Sequence, residues 1–419
     1  MKKIIFALLV LLSLCLVVSC GSNENTQGQT NNGGETTVGT GDVEQTPGNE
    51  NENGILTINP EEYYYVKVFE LPKEDFRSAA VNHMRKQSSI EWMCSEDFAV
   101  TETFNSWGID LTFKKGEKYT GIPYADTKVS YDQFNSYLVN GTLTSDSSKW
   151  KDVYGVQCVS SIMNAVQQFA PNVAGWSTEI MPSYDQFQGV IVGDYTVPKG
   201  VKQTLEIINA NGQEKMFAAY SQLKKGDIII TKDDIKDSSH LRMLVEDPTV
   251  VTNATGKINP TRSYVKTIEQ TNQFDKKRTD GVKTTWYVDH TYQFGVLYTT
   301  NYVPVTLEIY SKDKSECEIP YILLDKELTP SQIAAGSSVS YVKSNFPIRH
   351  VTFNVYDKAG TLVKHTKVYD MANTYSINLR MHAYQIVDGL ANGDYTLVMT
   401  AGIAIGDTEL QRVDFTINK

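Results

Sequence analysis

Tyr154-Gly155-Val156-Gln157-Cys158-Val159-Ser160-Ser161-Ile162-Met163-Asn164-Ala165-Val166 sets a cysteine at the front of an apolar-periodic run, just after a glycine-bearing loop. Such a run reads as a helix that starts at Cys158. A cysteine there meets unpaired backbone N–H groups and the positive end of the helix dipole, a setting that suits thiol chemistry. Downstream, Gly226-Asp227 launches a strand, Ile228-Ile229-Ile230, and His240 stands at the mouth of another, Leu241 to Val245. Asp233 to Ser239 reads as the hairpin loop between them. An imidazole delivered from that sheet to Cys158 would complete a thiolate–imidazolium pair. The order cysteine helix, then histidine strand, points to a cysteine hydrolase.

Working outward, residues 72–98 read as helical, opened by the acidic Glu74-Asp75. Gly121-Ile122-Pro123-Tyr124 follows, and beyond His240 come Ile268-Glu269-Gln270 and Asn301-Tyr302-Val303-Pro304-Val305. Taken in order, these elements resemble the NlpC-type papain-fold peptidases of bacterial cell walls, over roughly residues 75–310. The resemblance implies Cys158 as nucleophile, His240 as base and Glu269 as the polar group that orients the imidazole, with Gln270 as its competitor. Neighbours on a strand point to opposite faces, so only one of the two can face His240. It also implies that Tyr124 lines the cleft and donates to substrate or oxyanion, on the substrate side with Gln270, beside the Cys158 N–H. Many family members carry Asp-Cys-Ser-Gly at the nucleophile, whereas this chain has Gln157-Cys158-Val159-Ser160. The changed flanks keep open a second class of function, a surface- or cell-wall-binding lipoprotein that has lost activity.

Other thiols and imidazoles compete with this assignment. Cys158 itself could be a buried small apolar residue. Cys94 lies in Trp92-Met93-Cys94-Ser95-Glu96-Asp97 without a glycine loop before it, and His83 sits on a helix that reads as structural. His290 lies beyond the Ile-Glu-Gln strand, out of family order. Gly226-Asp227 reads as a turn, not a catalytic element.

Lys2-Lys3 precede an apolar run from Ile4 to Val18 that closes on Val17-Val18-Ser19-Cys20-Gly21. This resembles a lipoprotein signal (residues 1–20), which implies acylation of Cys20 and an extracytoplasmic, membrane-anchored protein of the cell envelope. Residues 21–54 are polar and without an aromatic side chain, a composition that reads as a disordered tether. Its root-mean-square span would be about 30 Å. Residues 55–319 are then the α+β, papain-like hydrolase domain, its helix-borne cysteine packed on an antiparallel sheet. Residues 320–419 carry short alternating strands between turns, such as Val351–Tyr356, Tyr395–Met399 and Val413–Ile417, and read as an all-β sandwich of the immunoglobulin-like kind.

The formal charge of −10 argues against nucleic acid as a partner. Peptidoglycan or its peptides, and the membrane through the anchor, are the expected partners. With no Cys-x-x-Cys and no His-x-x-x-His pair, neither a structural metal nor a cofactor is expected.

Overall fold

The computed structural model describes residues 54–99, 108–109, 111–125, 128–143, 155–173, 177–368 and 374–418. Cys20, the signal segment and nearly all of the tether lie outside these residues. The fold is mixed α and β, with most of its regular structure in antiparallel sheets.

The larger core is built on a six-stranded sheet in the spatial order Trp286–Gln293, Tyr264–Gln270, Ser238–Leu244, Ile228–Asp233, Val303–Leu307, Gly189–Ile191. Every pairing in it is antiparallel. The cysteine helix, Cys158–Val166, packs against the histidine strand Ser238–Leu244 and the glutamate strand Tyr264–Gln270. All nine of its residues are buried. Its polar side chains find partners within the core: Ser161 Oγ donates to Cys158 O at 3.1 Å, and Asn164 Nδ2 to Val129 O at 2.7 Å, while Asn164 Oδ1 accepts no hydrogen bond among the described residues. A second helix, Phe76–Ser89, lies against it, and Gln87 Nε2 donates to Ser161 O at 2.9 Å.

Two sequence readings need correction here. The first helix is shorter than 72–98. Asp75 caps it by accepting from Ser78 N, and Glu91–Cys94 forms a strand with alternating exposed and buried residues. The hairpin before His240 is tighter than Asp233–Ser239, because Ser238 already pairs with Asp233, so His240 lies inside its strand and not at the mouth. Gly226-Asp227 is structural, as read. Asp227 is buried, accepts from Arg77 Nη1 at 2.6 Å, and takes Lys224 N at 2.7 Å.

The C-terminal strands form two four-stranded antiparallel sheets around a separate hydrophobic core that includes Val342, Phe353, Leu397, Met399 and Phe415. One sheet runs Tyr65–Val68, Tyr321–Leu324, Tyr341–Ser344, Ser376–Asn378; the other runs Leu362–Val368, His350–Asp357, Gly393–Ile403, Gly406–Ile417. The edge strand Tyr65–Val68 therefore comes from the segment expected to belong wholly to the first domain. It pairs with Tyr321–Leu324, and the Tyr65 hydroxyl meets Thr408 Oγ1 at 2.8 Å. Deleting residues 54–70 is expected to destabilise the C-terminal core by on the order of 2–3 kcal/mol, from the partly buried Tyr65 and Phe69 and the lost ladder. A thermal melt of the shortened protein checks this; an unchanged melting temperature would sink it.

The two cores also touch. Buried Arg349 donates from Nη2 to Gln167 Oε1 at 2.6 Å, at the C-terminal cap of the cysteine helix.

Candidate active site

The thiol is held by its own helix cap. Gln157 is the N-cap; its side-chain oxygen accepts from Val159 N at 3.0 Å, while its backbone N–H donates to Ser160 Oγ at 2.8 Å. This reciprocal capping box is what the departure from an acidic neighbour leaves in place. The Cys158 Sγ lies 3.4 Å from the same Gln157 oxygen and 4.0 Å from Ser239 O. Cys158 is 5% exposed, and among the described residues its backbone N–H has no hydrogen-bond acceptor.

The loop before the helix is fixed by Gly121–Ala125. Ala125 N donates to Val156 O at 2.9 Å and Val156 N to Pro123 O at 3.0 Å. A side chain at Gly155 would bring its Cβ within 2.0 Å of Pro123 O, and one at Gly121, where φ is +82°, would meet the Trp286 ring at 2.2 Å. Glycine is required at both by the closeness of the neighbouring chain. The pairing sets Tyr124, largely buried, opposite Val156, which lies two residues before Cys158.

His240, Glu269 and Arg242 form one cluster. His240 Nε2 meets Glu269 Oε2, leaving Nδ1 as the ring nitrogen for the thiol. Arg242 Nε donates to the same Oε2 at 2.7 Å, and the Tyr292 hydroxyl donates to Glu269 Oε1 at 2.5 Å. Glu269 is 1% exposed, so its charge rests on these partners. Burial works against the charged form of His240, but hydrogen bonding to Cys158 and Glu269 outweighs it and raises the imidazole to about 9. Burial likewise pushes the Glu269 carboxyl up, yet His240, Arg242 and Tyr292 together bring it down to about 2. Both directions favour an ionised pair.

The structure thus brings Cys158, His240 and Glu269 together, and it chooses between the two strand neighbours. Gln270 does not take the substrate-side place expected of it. It points to the opposite face, fully buried, with Nε2 donating to Ile122 O at 2.7 Å. Its work is to pin the Gly121–Tyr124 segment. The competing groups are elsewhere. Burial pushes the Cys94 thiol up to about 12 and also raises Cys317, whose Sγ lies 3.4 Å from Asp313 O. Burial pulls His83 down to about 3, and His290 stacks on Tyr287 with ring centroids 4.6 Å apart.

Arg242, Tyr292 and Tyr302 were not singled out from the sequence as site residues. Arg242 had a readable signal: two residues past His240 on one strand, it shares its face. No group of metal-ligating side chains occurs among the described residues. No family model, curated protein or solved structure matches this chain.

Proposed function

We propose that this chain is a lipid-anchored, extracytoplasmic cysteine hydrolase of the NlpC-type papain fold, cleaving peptide or amide bonds in peptidoglycan stem peptides, with an immunoglobulin-like C-terminal module. The observation that carries the chemistry is the chain Cys158–His240–Glu269, which runs from a buried cysteine at a helix start through a partly exposed imidazole to a buried carboxylate. Its order in the sequence matches the wall peptidases, and that ordered resemblance supports the substrate class.

In this reading the Cys158 thiolate attacks the scissile carbonyl carbon, and the oxyanion forms against the Cys158 backbone N–H. His240 gives its proton to the leaving amine as the C–N bond breaks, leaving a thioester on Cys158. Water then attacks the thioester, His240 takes a water proton, and the C–S bond breaks to give a carboxylic acid and the starting thiolate. Glu269 stays ionised throughout and holds the imidazole in one orientation.

The deciding experiment is iodoacetamide labelling of Cys94, Cys158 and Cys317, read site by site by mass spectrometry. Cys158 is expected to label fast at pH 6 and to lose that rate in His240→Ala, while Cys94 and Cys317 stay slow. Slow labelling of Cys158 at every pH would favour a non-catalytic binding lipoprotein instead.

A further inference from the structure

The proton relay uses only one edge of Arg242. Its Nε bonds Glu269, while the Tyr292 and Tyr302 rings lie 3.8 Å and 4.2 Å from the guanidinium carbon. Clamped between two rings, the guanidinium plane is fixed. Among the described residues its Nη1 and Nη2 make no hydrogen bond, and the side chain is 13% exposed. A guanidinium carries its donors in a rigid fork, so an oriented and unspent edge reaches the surface beside His240. Its charge is answered only in part, because Glu269 is shared with the imidazole. Glu269 Oε2 meets both Arg242 Nε and His240 Nε2, which ties this edge to the imidazole.

We infer that Arg242 is a specificity residue, whose open Nη edge binds a free carboxylate on the substrate close to the bond that Cys158 attacks. The inference rests on the hydrolase reading and narrows its substrates to acyl compounds bearing an anionic group near the scissile amide. A planar carboxylate fits the fork edge-on, with two parallel N–H···O bonds. A carboxamide in the same place offers one acceptor, no charge, and an N–H₂ that opposes the guanidinium.

The test is protection of Cys158 from iodoacetamide by N-acetylalanine and by its amide, which differ only in the carboxylate. In the wild-type protein the carboxylate form is expected to protect at about 10- to 100-fold lower concentration than the amide. Arg242→Gln is expected to abolish that preference, and Arg242→Lys to keep part of it, since the charge stays and the fork is lost. The lysine variant guards against a merely misfolded glutamine variant, and circular dichroism checks both. Equal protection by the two compounds in the wild type overturns the assignment, as does a preference that survives in Arg242→Gln. Failure of the hydrolase reading appears separately, as a low basal labelling rate, because the preference is a ratio that does not depend on that rate.

Discussion

Cys158→Ala is expected to lower hydrolysis of muropeptide or wall-fragment substrates by at least about 10⁴-fold, the scale on which a covalent nucleophile acts. The neighbouring hydroxyls on its helix do not replace it. Ser160 and Ser161 follow on the same helix, but Ser160 Oγ accepts from Gln157 N and Ser161 Oγ donates to Cys158 O, so both hydroxyls face the helix's own backbone. Stability should hold to within about 1 kcal/mol, because alanine keeps the Cβ and loses one sulfur from a site already capped by Gln157. Cys94→Ala and Cys317→Ala should retain full turnover, since both thiols are buried away from the imidazole and are pushed toward the neutral form. Product release from a wall-fragment digest, followed by chromatography alongside a thermal melt, reads both quantities. Full activity in the alanine variant would remove Cys158 from the mechanism outright.

How far the site was legible follows from the range over which each signal acts. The cysteine helix announces itself locally, through a glycine loop and then an apolar period, and the histidine strand through an apolar run after a turn. The choice between Glu269 and Gln270 is different in kind. Strand alternation says that one of them faces His240, but which one depends on how the whole strand sits on its neighbours. Here Thr267 pairs with His290 and Ile268 with Val288, so Asp289 is an extra residue in a bulge, at φ +57°. That bulge fixes which side chains of Trp286–Gln293 meet Glu269, and no residue pattern declares it.

Two elements were illegible for related reasons. The helix Thr204–Ser221 passes through Asn209-Ala210-Asn211-Gly212, residues that favour turns, and it is kinked at Gly212. The turn preference is expressed there, since Gly212 leaves the helical conformation at φ +72°, and the two helical stretches pack against Val303–Leu307 and Ile228–Asp233. The strand Tyr65–Val68 finds its partner at Tyr321–Leu324, across the entire first core. A pairing that distant is decided by the fold as a whole, and for this reason a boundary at 319 looked clean in the sequence. The C-terminal side chains gather in a hydrophobic cluster of their own, and Tyr65 and Phe69 pack on it from far upstream.

Glu269 is the residue where function and stability are most tightly joined, and two substitutions separate them. Glu269→Ala leaves the Arg242 guanidinium and the His240 imidazolium without their shared carboxylate in a buried site, and is expected to cost about 3–5 kcal/mol. Glu269→Gln keeps the shape and one acceptor, so it should fold, yet turnover should fall about 10²- to 10⁴-fold as the imidazolium loses its counter-charge. The pH dependence carries the sharper signature. His240 is raised from 6.5 to about 9, so its stabilising contribution is complete below pH 6.5 and fades as pH climbs through 9. Glu269 is lowered from 4.5 to about 2, so its contribution is complete above pH 4.5 and fades as pH drops through 2. Both contributions are whole between pH 4.5 and 6.5, and melting temperature should be highest there so far as this pair governs it. Turnover in the wild type should fall on the alkaline side near pH 9, where His240 gives up its proton. Glu269→Gln removes a group that holds that proton, so the alkaline limb should move to lower pH and the acid-side loss of stability should shrink. A purely structural glutamate would shift neither limb. An alkaline limb that stays in place in Glu269→Gln therefore separates the carboxylate from the imidazole, whatever happens to the rate.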